Sequence, residues 1–430
     1  MGAGGAYTES RRRAVLGRPM EPGGVRMNEQ RRISRRGFLG KAAAGAALAP
    51  IVMKASAFGA NDQFTMGFIG MGGQGRGDLG GFLGFKELRA VAVCDVHEAH
   101  REMARSAVNS RYGNNDCVAV NDFRQITERK DIDAVFCATP DHWHAIITVE
   151  AMRNGKDVYC EKPETLTIRE GRIMVETARR YGRVFSGGSQ RVWEDYNWYH
   201  RVMWSGAAGK LQEVWVNIGG PSGDCYLPAE PVPPGLDWDM WLGPAPWRPY
   251  NKGLHPFTWR SFRDYSGGGM TDWGAHHIGG ALFAAQLHDQ PLPIEVHPPD
   301  GKEFKQLTYI YANGVRMYLG GAWDGPLGFK GTLGEVPERG KPRMPAPPTP
   351  IQGYRGRGGI FGDFVHCVLT RQRPFRDIEL AHRTVATCHL ANIAFWLKRP
   401  FKFDPEKEEI IGDPEANRWV DRPKRQPWTL

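Results

Sequence analysis

The sequence predicts an α/β protein whose first part folds as a doubly wound parallel sheet. Three observations carry this. Apolar runs of strand length alternate with amphipathic stretches from Gln63 onward, a glycine-rich turn follows the first run, and an aspartate follows the second. The predicted strands are Thr65–Gly70, Leu88–Cys94, Ile132–Thr139, Asp157–Glu161 and Val184–Gly187, with helices such as His142–Arg153 and Thr167–Tyr181 between them. Strand–helix–strand alternation points to a parallel sheet covered on both faces.

The turn after the first strand reads GMGGQG, so Gly70, Gly72 and Gly75 fit the G-x-G-x-x-G spacing. A glycine trio alone says little in a chain with 54 glycines. This one follows a strand, opens a helical stretch, and precedes Asp95 at the tip of the second strand, which is the context of a dinucleotide fingerprint. The glycines let the backbone approach a pyrophosphate, and the helix N-terminus supplies unpaired N–H groups and partial positive charge. An aspartate at that strand tip accepts hydrogen bonds from ribose hydroxyls and repels a 2′-phosphate. The expected cofactor is therefore NAD(H) rather than NADP(H), although Arg76 lies in the loop itself.

The chain has 430 residues, 41% hydrophobic and 24% charged, enough for two domains and a large core. Its net charge of +9 sits in the first 57 residues, which hold 11 basic and 3 acidic side chains; the remainder has 45 basic against 44 acidic. That distribution gives no argument for a nucleic-acid partner. Residues 1–57 read as a leader: Arg31, Arg32, Arg35 and Arg36 precede a short Ala/Gly-rich run from Ala42 to Met53, then Ala55-Ser56-Ala57 offers a cleavage site. Ser34-Arg35-Arg36-Gly37-Phe38-Leu39 resembles a twin-arginine export signal, so the expected location is periplasmic or otherwise exported. The run is too short to span a membrane and Pro50 interrupts it, and no later segment offers a span. Met27 is a more natural start than Met1, since residues 1–26 match no targeting pattern. The seven cysteines show no C-x-x-C, and no disulfide framework is expected.

Two further stretches, ATPDHWHA at 138–145 and CEKP at 160–163, follow the later strands, and DWGAHH stands at 272–277. With the glycine turn they resemble the Gfo/Idh/MocA family (glucose–fructose oxidoreductase, inositol dehydrogenase and relatives). The resemblance runs from about residue 64 to the C-terminus. It implies an NAD-binding Rossmann domain over residues 63–187. It also implies a C-terminal α/β substrate and oligomerisation domain over 188–430, built on a large open, mainly antiparallel sheet. It further implies a homo-oligomer and a carbohydrate or cyclitol substrate, with Thr139, Pro140, His142, Glu161 and Lys162 beside the cofactor. Lys162 matches the family's active-site lysine, and Asp272 and His276 its D-x-G-x-H pattern. Three residues on, where relatives often carry Asp or Asn, this chain has Gly279.

Hydride transfer from a carbinol needs a proton acceptor near neutral pH and a cation for the developing alkoxide. Histidine suits the first task and lysine the second, so Lys162, His276 and Asp272 are the expected catalytic set. If residues 272–276 are one helix, Asp272 and His276 share a face and the carboxylate orients the ring, while His277 points elsewhere. No metal site is expected: His142 and His144 would face apart on a helix, leaving His144 structural. Nine of the 14 tryptophans fall between Trp193 and Trp273, mostly as packing residues. Trp259, Trp273, Arg191 and Arg260 are weaker candidates for the substrate cleft. Residues 236–250, rich in aromatics and proline, read as a lid or a dimer contact.

Three functions fit: a sugar or cyclitol oxidoreductase, an NAD-dependent glycosidase or lyase working through transient oxidation, and a non-catalytic sugar-binding protein. For an exported member, tight retention of the cofactor is expected, since no nicotinamide pool exists outside the cytoplasm to exchange with.

Overall fold

The computed structural model describes residues 63–430 apart from 257, 321–324 and 349. The leader expected at residues 1–57 lies outside the described residues. Six parallel strands form the first sheet: β1 (Phe64–Ile69), β2 (Leu88–Cys94), β3 (Val118–Val120), β4 (Ala134–Cys137), β5 (Asp157–Cys160) and β6 (Phe185–Gly187). Their order, β3-β2-β1-β4-β5-β6, is that of a dinucleotide-binding sheet. The pattern in the sequence locates five of these strands within a few residues. It misses β3, whose three residues are partly exposed and carry little apolar signal.

Helices cover both faces, as continuous apolar strands require. On one face α1 (Gly73–Phe82) packs Leu79 and Phe82 against Phe68 and Phe136, and α2 (Glu98–Tyr112) adds Ala104 and Val108. On the other, α3 (Asp141–Arg153) and α4 (Ile168–Tyr181) bury Ile147, Met152 and Met174 against Val135 and Val158. The start of α4 is fixed by a capping box: Thr167 Oγ1 accepts from Glu170 N, and Glu170 Oε2 accepts from Thr167 N, each at 3.2 Å.

The second sheet has eight strands: β7 (Leu211–Val216), β8 (Glu295–His297), β9 (Leu307–Ile310), β10 (Arg316–Leu319), β11 (Leu327–Gly331), β12 (Gly334–Val336), β13 (Phe401–Asp404) and β14 (Glu409–Ile410). Every neighbouring pair is antiparallel except β7 with β10, so the sheet is mixed but mainly antiparallel. Its inner face packs Val214, Met317, Tyr309 and Phe329 against α6 (Gly274–Ala284) and α8 (Ile378–Leu397). The helix before α6 is the single turn α5 (Gly269–Asp272), and α7 (Gly359–Thr370) precedes α8. Although α7 follows the second sheet in sequence, Phe364 and Val368 join the core of the first. The two sheets are therefore bound together by shared helices. No helix among the described residues is long and apolar enough to cross a membrane.

Residues 224–265 form a strap with an apolar core of its own, in which Trp238, Trp241, Leu242 and Tyr265 are all buried. The strap docks on the C-terminal tips of the first sheet. Glu98 N donates to Gly235 O (2.8 Å), Asp237 N to Val96 O (3.0 Å), and Asn121 Nδ2 to Asp237 Oδ2 (2.8 Å).

Candidate active site

Between the strap and the strand tips lies a cleft of about 450 Å³. Its floor is the glycine turn. Gly70 has φ +85°, and a Cβ on Gly75 would overlap the Gly70 carbonyl, so both positions demand glycine. At Gly72 and Gly73 a Cβ would meet nothing within 4 Å, which leaves the backbone open to the cleft. Helix α1 starts at Gly73 with no side-chain cap and no acidic residue in its first turn. Its free N–H groups suit a pyrophosphate, and the turn fits the dinucleotide the fold implies.

Asp95 lines the same cleft. Its Oδ2 accepts from Met71 N and its Oδ1 from His97 N, both at 2.7 Å, which holds the carboxylate at the rim. Arg76 also lines the cleft, and its Nη1 donates to Met71 O at 2.6 Å. Thr139 and Pro140 form the wall beyond β4, with Trp143 beside them. Trp259 and Arg260 line this cleft too, Arg260 lying 4.3 Å over the Trp259 ring.

Of the residues expected beside the cofactor, His142, Glu161 and Lys162 do not line this cleft, and the first two are buried. His142 is buried behind the wall, its Nε2 3.0 Å from Trp241 O and its ring packed on Trp241 and Tyr265. Position 142 falls on the inner side of the first turn of α3, where the strap covers it. Glu161 is also buried; its Oε2 accepts from Lys162 N (3.3 Å), and its carboxyl lies close enough to that of Asp78 of α1 for the two charges to interact. Burial raises both carboxyls, Asp78 to about 6 and Glu161 further, because two adjacent carboxylates cannot both ionise cheaply away from water.

Lys162 emerges after β5 and its Nζ meets Asp272 Oδ1 at 2.6 Å, across 110 residues of sequence. Arg260 Nε approaches the same oxygen at 3.5 Å. The expected pairing of Asp272 with His276 is therefore corrected. The helix breaks at Trp273, α5 ending at Asp272 and α6 beginning at Gly274, so the two residues do not share one helical face. His276 Nδ1 instead lies 2.6 Å from Ser189 Oγ, which is 3.3 Å from Ala275 O. A chain from ring N–H to hydroxyl to carbonyl would leave Nε2 with its lone pair. Burial, then the charges of Lys162, Arg376 and Arg191, push His276 down to about 2, so the ring is neutral. His277 points away, to Asn217 O.

Ser189 has no pattern in the sequence that announces it; its only clue is its place two residues past a strand tip. Arg376 was equally unannounced. It is fully buried and paired with Glu164 at 3.1 Å, behind His276. It also explains the departure at Gly279, where a Cβ would come within 2.9 Å of Val192 Cγ2 and 3.1 Å of Arg376 Nη1. On the outer side, the Arg191 guanidinium lies 5.3 Å over the Trp273 ring, which is 5.9 Å from the His276 ring. Trp273 is 44% exposed, an unusual state for so large an apolar ring.

One group has ligand-like composition. Cys137, His144 and Cys160 bring their donor atoms within 4.8 Å of one another, fully buried beneath the strand tips. His144, however, has Nδ1 2.8 Å from Pro163 O and Nε2 2.7 Å from Thr139 O. With both nitrogens turned to carbonyls none is left for an ion, and the ring ties the Thr139 loop to the Lys162–Pro163 loop. All seven cysteines are free thiols.

Sheet order, open glycine turn and rim carboxylate together define a dinucleotide-binding protein. The chain belongs to the Gfo/Idh/MocA oxidoreductase family: the family's NAD-binding Rossmann fold matches residues 64–189, and its C-terminal alpha/beta domain matches residues 196–430. A protein of Shewanella sp. (strain W3-18-1) named as a glycosyl hydrolase family 109 protein is 33% identical over 122 residues. That match covers 28% of this chain and 27% of the relative. Among solved structures, myo-inositol 2-dehydrogenase from Lactobacillus plantarum aligns over 80% of this chain and 100% of its own, with TM-score 0.56 and 17% identity. Aldose-aldose oxidoreductase from Caulobacter crescentus, complexed with glycerol, aligns over 79% and 100%, with TM-score 0.55 and 18% identity. At these identities the two structures share the fold.

Proposed function

We propose that this protein is an NAD(H)-linked oxidoreductase acting on a hydroxyl of a sugar, cyclitol or sugar derivative. The observation that carries this reading is the Lys162–Asp272 ion pair, set near a neutral His276 at the C-terminal tips of a dinucleotide-binding sheet. A bound nicotinamide would supply the hydride acceptor or donor. Lys162, held by Asp272, offers three N–H donors and a positive charge to the oxygen that becomes negative. Ser189 fixes the His276 ring, whose free lone pair accepts the hydroxyl proton. Three nearby cations make that imidazolium reluctant to form, so the larger share of the work falls to Lys162. Trp273 with Arg191 offers an apolar, hydrogen-bonding platform suited to a sugar ring.

The reading is tested by mass spectrometry of any dinucleotide that co-purifies, followed by a screen of sugars and glycosides for hydride transfer. A protein that neither carries nor binds a dinucleotide would end it. His276→Gln is expected to slow turnover by about 10-fold, and Ser189→Ala to do so by a few-fold while shifting the pH–rate profile. An unchanged profile in Ser189→Ala would make that serine merely structural. Asp95→Ala is expected to weaken NADH binding about 10-fold in a fluorescence titration, since it removes the acceptor proposed for the ribose. Unchanged affinity would overturn that contact, and with it the argument for NAD over NADP.

A second reading is favoured by the closed strap and by the name of the Shewanella relatives. In it a ring hydroxyl is oxidised transiently, the glycosidic substituent leaves by elimination through the acidified neighbouring C–H, and the hydride returns. A cofactor covered by the strap suits a cycle that never releases it. Free aglycone without net NADH would favour this reading, and net NADH would favour simple dehydrogenation. We also propose export by the twin-arginine route and assembly into a homo-oligomer. Cell fractionation and light scattering test the two separately.

A further inference from the structure

The strap supplies His255 to the cleft, which Asp95, just past β2, and His100 of α2 also line. Three imidazoles gather here. His97 stacks on His100 with ring centres 4.4 Å apart, and the His255 ring lies 5.7 Å from the first and 6.0 Å from the second. His100 Nδ1 is 3.7 Å from Asp95 Oδ1. His255 is 91% buried, yet its Nε2 has no hydrogen-bond partner among the described residues. A buried ring nitrogen without a partner is uncommon in folded proteins and marks a place for a missing one.

The chemistry of the neighbours says what that partner is. Asp95 is an acceptor only, so it takes the hydrogen of a ribose hydroxyl and leaves that oxygen's lone pairs free. A neutral imidazole with a proton on Nε2 donates to such an oxygen. Burial holds His255 neutral, at about 4, which matches this need. The strap reaches the site by backbone bonds from Gly235 and Asp237 to Glu98 and Val96, either side of His97, so the strap and the ribose rim are one unit.

We propose that His255 is a binding residue for the adenosine half of the cofactor, its Nε2 hydrogen-bonding a hydroxyl of the ribose that Asp95 holds, so that the cofactor pins its own strap shut. The proposal rests on the reading of the cleft as a dinucleotide site. It assigns the second domain a direct hand in holding the nucleotide, and it makes retention a property of the strap as well as of the glycine turn.

The test is a titration of the full chain with NADH and with its 2′-deoxy and 3′-deoxy adenosine-ribose analogues, on wild type, His255→Ala and His255→Gln. NADH should bind His255→Ala about 10-fold or more weakly than wild type, and His255→Gln should recover part of that loss. One deoxy analogue should bind wild type about as weakly, and lose little more on His255→Ala. Equal NADH affinity in wild type and both variants overturns the assignment, as do 2′-deoxy and 3′-deoxy analogues that both lose as much on His255→Ala as on wild type. Should His255→Ala not fold, the glutamine variant and the analogues on wild type still decide it. Wild type that binds no NADH overturns the cleft reading itself, whereas tight binding indifferent to residue 255 overturns only this proposal.

Discussion

Lys162→Ala is expected to fold normally and to turn over the best sugar or glycoside at least about 100-fold more slowly than wild type. The side chain is 17% exposed and its partner Asp272 is 23% exposed, so the variant leaves a carboxylate that water and Arg260 can still satisfy. Stability should therefore change by only about 1 kcal/mol, within the range of partly exposed ion pairs. Catalysis should suffer far more, because the ammonium acts where charge develops in a site screened from bulk water. His276→Gln should cost less, since the imidazole works against a positive field while the ammonium works with a developing negative charge. Measuring kcat, NADH affinity and the thermal midpoint together separates these effects. Unchanged kcat would remove Lys162 from the mechanism, and a loss for His276→Gln larger than for Lys162→Ala would reverse their roles.

The second large effect is an acid-labile fold. Among the described residues, seven histidines are at least nine-tenths buried. Six of them, His142, His144, His200, His255, His276 and His389, have no carboxylate partner there, whereas His382 pairs with Glu408. Burial lowers each of the six: His276 to about 2, His389 to about 3, and the other four to about 4. His144 shows the balance, since two carbonyl neighbours favour its charged form and burial still prevails. In the unfolded chain each takes up a proton near 6.5, so the unfolded state binds more protons below that pH. Stability is intact above about 6.5 and is lost as pH falls toward 4.

A histidine lowered from 6.5 to about 4 forfeits roughly 3 kcal/mol once pH is below both values. Even a third of that over six residues rivals the roughly 5–15 kcal/mol that holds an ordinary domain. Four buried carboxyls act in the opposite sense. Asp78, Asp141, Glu161 and Asp363 are raised chiefly by burial, Asp78 to about 6 and Asp141 to about 7, so they stabilise the fold at low pH and lose that contribution as pH rises. Glu408, lowered to about 2 against its burial by hydrogen bonds from His382 and Arg172, works with the histidines. The six histidines with Glu408 outnumber the four. The thermal midpoint should drop by at least about 10 °C between pH 7.5 and pH 4.5. A midpoint that is flat or rises toward pH 4.5 would show that these rings reach water or share protons in the fold.

Much of the first sheet is legible in the residue order. The run from Leu88 to Cys94 is the observed β2, residue for residue, because a strand largely buried on both faces shows itself as a nearly continuous apolar run, interrupted here only by Arg89. The glycine turn is equally plain, since a backbone at φ +85° and a helix start packed on a carbonyl oxygen admit little but glycine. That Asp95 and Lys162 stand just past strand ends is legible in the same way. The Asp272–His276 pairing misled, because spacing by four implies a shared face only if the helix is continuous. The turn at Trp273, fed by Gly267 to Gly269, divides it.

What the residue order determined by itself is local: strand, glycine turn, helix, and the acidic rim, each set by backbone sterics and apolar periodicity within about ten residues. The tertiary structure alone decided which charge meets which. Lys162 finds Asp272 at 2.6 Å, Arg376 finds Glu164 across 212 residues, and Ser189 takes the histidine assigned to the aspartate. Coulombic and hydrogen-bond energies depend on separation in space, and only the packing of two sheets through shared helices brings these groups within reach.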